Sequence, residues 1–227
     1  IKIDENFIEA YINKIELFHE QHNLNEAFKV SNFLLKKFPD NNLSYFNHAY
    51  TFDKMNDFEN AISFYKKSIN INKLHAKSYN NLAVIYTKVY RVEEAEYLYT
   101  LANKLNISSI DMKYNHASLL SKMGKAKESI AISKQSLREN PNYLLFYDVL
   151  SATKRFDKKD DDYLKMVKIY DDLSDDNPQK GNLAINIGKA LENMKLYDEA
   201  AAFFKSGNLF KDKIINYQPE KHLRQFN

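Results

Sequence analysis

The apolar residues of this chain recur with a fixed spacing. Consecutive members of two aromatic series lie 34 residues apart. The first series is Tyr11, Tyr45 and Tyr79, and the second is Phe18, Phe52 and Tyr86. Two alanine series follow the same offset, Ala27, Ala61, Ala95 and Ala49, Ala83, Ala117. The spacing holds without a gap from about Ile8 to Tyr143, so the chain is interpreted as an array of internal repeats.

Composition narrows the fold class of these repeats. The chain has 227 residues, with only four glycines, four prolines and no cysteine. So few turn-forming residues argue against a β-sandwich or barrel and favour a protein made of helices. The glycines are also too far apart to form a phosphate-binding loop. The 26 asparagines are an unusual surplus, and we interpret most of it as the codon usage of an AT-rich genome.

The 34-residue pattern resembles the tetratricopeptide repeat, a pair of antiparallel helices called A and B. The alanines are expected where helix A crosses helix B closely, and the aromatic residue of helix A fills the wedge between them. Pro39 and Pro141 are expected to end helix B, because proline cannot donate to the helix ladder.

The resemblance implies an all-α, right-handed α-solenoid in a single domain over 1–227. Six repeats are predicted at 8–41, 42–75, 76–109, 110–143, 144–180 and 181–214, followed by a capping helix in 215–227. The fifth is irregular, because the spacing from Ser151 to Gly188 is 37 residues. We expect the excess in a polar turn at 158–162, and Pro178 at the end of a helix B.

The C-terminal part resembles a narrower group. Residues 183–217 contain Gly-Lys-Ala-Leu-Glu, Tyr-Asp-Glu-Ala, a Gly-Asn pair and a later tyrosine. This order is similar to the last repeat before the catalytic domain of bacterial TPR-sulfotransferases. The resemblance implies a substrate-recognising portion of such an enzyme, with the catalytic domain expected after Asn227. It does not make this chain an enzyme.

The candidate binding residues form a series on helix A. The sixth position of each repeat is Asn13, Asn47, Asn81, Asn115, Val149 and Asn186. An asparagine amide accepts and donates, so it can bond both backbone groups of an extended peptide. Because helix A lines the concave face of such a solenoid, these positions are expected to be exposed and to bind a peptide. A repeat consensus would explain the asparagines without a ligand.

Flanking positions complete the predicted site. Tyr50, Asn80 and Tyr114 occupy neighbouring positions on helix A, where they would contact ligand side chains or pack between repeats. The predicted function is therefore a protein-interaction module that binds an extended peptide or protein segment. The alternative is a structural scaffold for assembly or self-association through its open ends, without a peptide ligand.

Other chemistry finds no support in the sequence. Net charge is only +3, from 33 basic and 30 acidic side chains, and no basic stripe for nucleic acid is present. No apolar run is long enough for a membrane span, and the acidic run 157–162 lacks the glycine and glutamate of a calcium loop. We expect no catalysis, cofactor or metal, and His48 and His116 are expected to be core residues. The lack of cysteine is compatible with a reducing compartment, and a cytoplasmic location is predicted.

Overall fold

A computed structural model describes residues 7–215, with side chains up to residue 210. Within that range all regular structure is helical, in twelve α-helices without a strand. The predicted all-α class is therefore confirmed. The chain divides into two compact units, the first ending at Leu119 and the second beginning at Leu120.

The first unit is built from antiparallel helix pairs. Its helices are α1 (Ile8–Glu20), α2 (Leu24–Lys37), α3 (Asn42–Lys54), α4 (Phe58–Ile71), α5 (Ala76–Lys88), α6 (Val92–Lys104) and the first part of α7 (Ile110–Lys122). Within each pair, α1 packs on α2, α3 on α4 and α5 on α6. The A helices also contact one another in the order α1, α3, α5.

The second unit contains the end of α7 and five further helices. These are α8 (Ala126–Glu139), α9 (Leu145–Thr153), α10 (Asp161–Asp172), α11 (Pro178–Asn193) and α12 (Tyr197–Ile215). Helix α9 packs on α8 and α11, α10 packs on α11, and α11 packs extensively on α12.

The predicted alanine packing is confirmed. Ala27, Ala49, Ala61, Ala83, Ala95 and Ala117 are all completely buried. Because alanine has only a methyl side chain, the paired helices can approach closely at these positions, and larger neighbouring side chains interdigitate around them. The two prolines also act as predicted, since α2 ends at Lys37, two residues before Pro39, and α8 ends at Glu139, two residues before Pro141.

The turn within each regular pair repeats in its backbone conformation as well. It has three residues in the first four pairs, and its second residue has positive φ: His22 (55°), Asn56 (60°), Tyr90 (61°) and Gly124 (74°). These residues lie 34 apart, so one left-handed residue reverses the chain between helices A and B. Glycine adopts this conformation without the steric cost that tyrosine carries.

The fifth pair departs from the others in the region predicted. Helix α9 has only nine residues, and the turn after it spans residues 154–160, seven residues instead of three. Buried Phe156 of this turn packs in one cluster with Tyr147, Leu150 and Met166. The predicted polar turn at 158–162 is therefore displaced toward the N-terminus, since Asp161 and Asp162 already belong to α10.

The expectation for Pro178 was wrong. This proline does not end a helix B but begins α11, where its missing N–H would have had no intrahelical partner. Helix α11 therefore runs across the expected boundary between the fifth and sixth repeats at 180/181. The predicted capping segment at 215–227 lies outside the described residues except for Ile215, which ends α12.

Part of the asparagine surplus has a structural role at helix starts. The side chains of Asn23, Asn41 and Asn177 accept from backbone N–H groups in the first turns of α2, α3 and α11. Asp57 and Asp160 do the same for α4 and α10. Each cap satisfies an N–H that the helix ladder leaves open.

Candidate functional site

The predicted asparagine series is distributed over both units. Asn13, Asn47, Asn81 and Asn115 belong to α1, α3, α5 and α7 in the first unit, and Asn186 belongs to α11 in the second. Their environments differ although the repeat position is the same. Asn13 is exposed, Asn81 and Asn115 are half-buried, and Asn47 and Asn186 are buried.

The expected exposure was wrong for Asn47 and Asn186. Asn47 is 4% exposed, and its Nδ2 donates to the Leu43 carbonyl of its own helix over 2.8 Å. Asn186 is 2% exposed, and it donates to Asp148 over 2.5 Å and accepts from the Ser151 hydroxyl over 2.8 Å. The Asn47 amide is therefore bonded within α3, and the Asn186 amide links α11 to α9.

Three half-buried amides form a connected chain on the A helices of the first unit. Asn115 Nδ2 donates to Asn80 Oδ1 over 3.0 Å, and Asn80 Nδ2 donates to Asn81 Oδ1 over 3.3 Å. Asn81 Nδ2 then donates to the Tyr65 hydroxyl over 3.1 Å. The chain links α7, α5 and α4, and the structure thus brings together three of the predicted residues.

Tyr65, on helix α4, anchors this chain and was not among the predicted residues. Its side chain is fully buried. Burial raises the pKa of its hydroxyl well above the usual range, so the group stays protonated and neutral beside Asn81. Tyr99 lies one repeat further along, and this tyrosine pair at an offset of 34 was a signal in the sequence.

Each amide in the chain retains bonding capacity. An asparagine side chain offers two N–H donors and a carbonyl with two lone pairs. The bonds along the chain use one N–H of each amide. The bonds already made fix the directions of the remaining groups, and the three residues are only half-buried.

Aromatic side chains lie next to these amides. Tyr50 on α3 is half-buried and stacks on Phe46, with centroids 6.3 Å apart and planes parallel within 1°. Phe46 also contacts the rings of Tyr65 and His75, with centroid distances of 5.7 and 5.0 Å. Tyr114 is half-buried on α7, one residue before Asn115. The amide chain and this aromatic group share Tyr65.

A lysine and an ion pair lie near the aromatic group. Lys54 Nζ lies 5.1 Å from the Tyr50 ring centroid, and Lys88 pairs with Asp53 over 2.9 Å. Burial, together with the charge of Lys54, lowers the pKa of His19, whose ring packs edge-on against Tyr50 with centroids 5.2 Å apart. His19 therefore stays neutral near pH 7.

His48 and His116 are packed in the core, as predicted. His48 bonds Ser31 through Nδ1 over 2.9 Å and packs among phenylalanine rings, while buried His116 stacks on Tyr99 with centroids 5.3 Å apart. Among residues 7–215 no three histidine or carboxylate groups are arranged to hold a metal ion. In the same range, no helix combines the length and apolar character that a membrane crossing requires.

Family models identify the repeats. Models described as tetratricopeptide repeat match residues 44–73, 110–143 and 64–97. The matches fall on α3 and α4, on α7 and α8, and on the overlap from α4 to α6. No curated protein matches the chain.

Solved structures share the fold. One from the characterisation of Pseudomonas aeruginosa pilF has a TM-score of 0.66 at 20% identity, covering 96% of each chain. A tetratricopeptide repeat protein from Parabacteroides merdae gives 0.66 at 16% identity, with 95% of this chain and 88% of that one covered. YrrB, described as a TPR protein with an unusual peptide-binding site, gives 0.60 at 16% identity over 79% of this chain and 91% of its own.

The helix pairs, the matches to the family models and the similar solved structures define the fold class of this chain. The fold is that of tetratricopeptide repeat proteins. This chain contains tetratricopeptide repeats.

Proposed function

We propose that this chain is a non-catalytic protein-interaction module that holds an extended peptide on the A helices of its first unit. The surface concerned comprises Tyr50, Asn80, Asn81, Tyr114 and Asn115, and it is called the A-helix face below. The observation that carries the proposal is the hydrogen-bonded chain from Asn115 through Asn80 and Asn81 to Tyr65.

The A-helix face suits a peptide backbone because of its preorganisation. Amides whose directions are fixed before binding lose less conformational entropy when they bond a ligand. The free donors and acceptors of Asn80, Asn81 and Asn115 can bond backbone N–H and C=O groups without reading the side chains of the peptide. Tyr50 and Tyr114 supply apolar surface beside them for one or two ligand side chains.

We limit the proposal to part of the asparagine series. Asn47 lies on the same set of helices, but it is buried and bonded to its own backbone, so we leave it out of the A-helix face. Asn13 is exposed on α1 and can extend the face at its N-terminal end. Asn186 belongs to the second unit and is not part of this proposal. The proposed peptide-binding residues thus all belong to the first unit.

The alternative of a structural scaffold has weaker support. Exposed large apolar side chains such as Tyr97, Leu164, Tyr197 and Leu209 are scattered over α6, α10 and α12. Single exposed apolar residues are normal on monomeric proteins and require no partner. Sedimentation velocity at micromolar concentration tests this alternative, and a stable oligomer there would favour the scaffold.

The sulfotransferase association stays a prediction from sequence. Two glycines of the resembling segment are explained by helix packing between α11 and α12. A Cβ atom on Gly188 would lie 2.7 Å from the Phe204 ring, and one on Gly207 would lie 2.8 Å from the Gly181 carbonyl oxygen. Close packing therefore accounts for both glycines without an enzyme partner.

The peptide proposal is tested by selection followed by mutation. A random peptide library is selected on the immobilised protein, and the affinity of the enriched peptide is measured by fluorescence anisotropy. We expect Asn81→Ala combined with Asn115→Ala to weaken binding by about tenfold or more, since roughly 1.4 kcal/mol corresponds to each factor of ten. Asn103→Ala, on the exposed surface of α6, is the matched control and should bind as the wild type does.

Two outcomes would contradict the proposal. The first is a library that yields no peptide enriched over a blank surface. The second is an enriched peptide that binds the double variant as tightly as the control variant. Circular dichroism melting of both variants separates lost binding from lost folding.

A further inference from the structure

A cavity of about 330 Å³ lies in the second unit, whereas the A-helix face belongs to the first. Helix α8 contributes Lys134 and Arg138, and helix α10 contributes Lys165 and Lys168. Leu137 and Ile169 supply apolar lining from the same two helices. This space is called the α8/α10 cavity, and nothing in the peptide proposal uses it.

The cationic groups of the cavity outnumber its carboxylates. Asp162 is the acidic residue in the lining, and it is already paired with Lys134 over 2.8 Å and with Lys154. Burial raises the pKa of Asp162, but the hydrogen bonds from Lys134 and Lys154 outweigh burial and lower it overall. Within the part of the chain that the structure describes, no ion pair joins Arg138, Lys165 or Lys168 to a carboxylate.

The spacing of the cations suits compact anions. Lys134 and Arg138 are four residues apart on α8, and Lys165 and Lys168 are three apart on α10. Side chains at these spacings are neighbours on one helix face, about 5–6 Å apart at Cβ. Each pair can therefore contact one anionic group with two cationic side chains, and the arginine can bind a phosphate with two N–H donors.

The α8 pair is a local feature rather than a property of every repeat. The residues 34 positions earlier are Thr100 and Lys104, and those 68 positions earlier are Lys66 and Asn70. At 102 positions earlier they are Asn32 and Lys36. Of these four B helices, α8 alone has a cation at both positions. The cavity also adjoins the irregular fifth pair, where Tyr147 of the short α9 joins the lining.

We propose that the α8/α10 cavity binds a small organic molecule that carries phosphate groups. A phosphate carries up to two negative charges on one group. In an extended acidic peptide, by contrast, neighbouring carboxylates on the same side are separated by about 7 Å. Because four cationic side chains line a space of only about 330 Å³, a compact phosphate ligand fits it better than an extended acidic peptide. The apolar part of that molecule packs on Leu137 and Ile169, which adjoin the cationic residues on their helices.

Isothermal titration calorimetry with three probes tests this proposal on the whole chain. The probes are ADP, inorganic pyrophosphate and adenosine. We expect ADP to bind, pyrophosphate to bind more weakly because it lacks an apolar part, and adenosine to show no measurable binding. Failure of ADP to bind, or equal affinity for pyrophosphate and ADP, would overturn the proposal.

Paired substitutions locate the binding. Arg138→Ala with Lys168→Ala removes one cation from each helix, and we expect the affinity for ADP to fall by about tenfold or more. Lys127→Ala with Lys158→Ala removes the same charge from positions outside the cavity lining and should leave the affinity within about twofold. All four side chains are exposed, so both variants are expected to fold.

Equal losses in the two double variants would show general attraction to a basic surface and would overturn the site. Tighter binding of hexaglutamate than of ADP would replace the organic phosphate with an acidic peptide. Neither result bears on the A-helix face, because the asparagine variants of that face leave the cavity intact.

Discussion

Asn115 donates from Nδ2 to Asn80 Oδ1 over 3.0 Å, so one side-chain bond joins helices α7 and α5 across 35 residues of sequence. Asn80 in turn donates from its Nδ2 to Asn81 Oδ1 on the same helix. The three asparagines of the A-helix face thus form a hydrogen-bonded unit, and they should be energetically coupled.

A double-mutant cycle on Asn80 and Asn115 measures that coupling. We expect each alanine variant to lose about 0.5–1.5 kcal/mol of unfolding free energy, with a coupling of about 0.5–1 kcal/mol between them. Urea denaturation of the four proteins gives these values. Strict additivity of the two substitutions would mean that the bond contributes nothing to stability.

The left-handed turn residues give opposite expectations at two equivalent positions. Gly124→Ala should destabilise the protein by about 1 kcal/mol, because φ is 74° and alanine is strained there. Tyr90→Gly should stabilise it by up to about 1 kcal/mol, because Tyr90 has φ of 61° and is 90% exposed, so little packing is lost.

Thermal denaturation of these variants checks both the predicted loss of stability in Gly124→Ala and the predicted gain in Tyr90→Gly. Tyr97→Gly is the matched control, since Tyr97 is also exposed but lies inside α6. There the same substitution should destabilise by about 1 kcal/mol, because glycine is a poor helix former. A loss of stability in Tyr90→Gly equal to that in Tyr97→Gly would contradict the role of the left-handed conformation.

Stability should fall as the solution is acidified from pH 7 to pH 4. Burial lowers the pKa of His48 from 6.5 to about 4. Between these values the unfolded chain binds a proton that the folded chain does not, so acid favours unfolding. We expect a loss of about 2 kcal/mol over this interval, less than the full difference because solvent screens part of it.

His48→Phe tests this assignment, since phenylalanine can join the surrounding Phe52 and Phe64 rings. It is combined with Ser31→Ala, because the Ser31 hydroxyl would keep its bond to the Phe28 carbonyl but lose His48 as a partner. The pH dependence of urea denaturation should be shallower in this variant between pH 7 and pH 4. The ion-paired Asp160 and Asp162, whose pKa values are lowered, contribute their loss only below about pH 4. An unchanged slope would exclude His48 as its source.

Lys154 should matter more for stability than an exposed lysine in a comparable pair. It bonds Asp160 over 2.5 Å and Asp162, and its side chain is only 17% exposed. Lys154→Met keeps the aliphatic stem over the Phe156 ring but leaves two adjacent carboxylates without this cation. We expect a loss of about 1–3 kcal/mol in urea denaturation.

Lys159→Met is the matched control, because Lys159 pairs with Glu199 over 2.8 Å while both side chains are more than 40% exposed. Water and salt screen such a pair, so its removal should hardly change the free energy of unfolding. Equal effects of the two substitutions would show that burial does not set the strength of the Lys154 contacts.

The sequence alone determined the repeat and the helices it requires. A period of 34 with alanine at the crossing points allows close packing only if each repeat forms a helical pair, and the six alanines are indeed buried. The left-handed turn follows the same period, and Gly124 is the member whose residue type indicates it most clearly. These features depend on spacing along the chain, which a sequence displays directly.

The tertiary structure decided what each asparagine does. Asn47 and Asn81 occupy the same repeat position, but Asn47 bonds its own helix and Asn81 reaches Tyr65. One difference lies beside them, since Phe46 precedes Asn47 and a second amide, Asn80, precedes Asn81. Hydrogen bonding of a side chain depends on the groups that neighbouring helices bring within about 3 Å, and no repeat pattern specifies those groups.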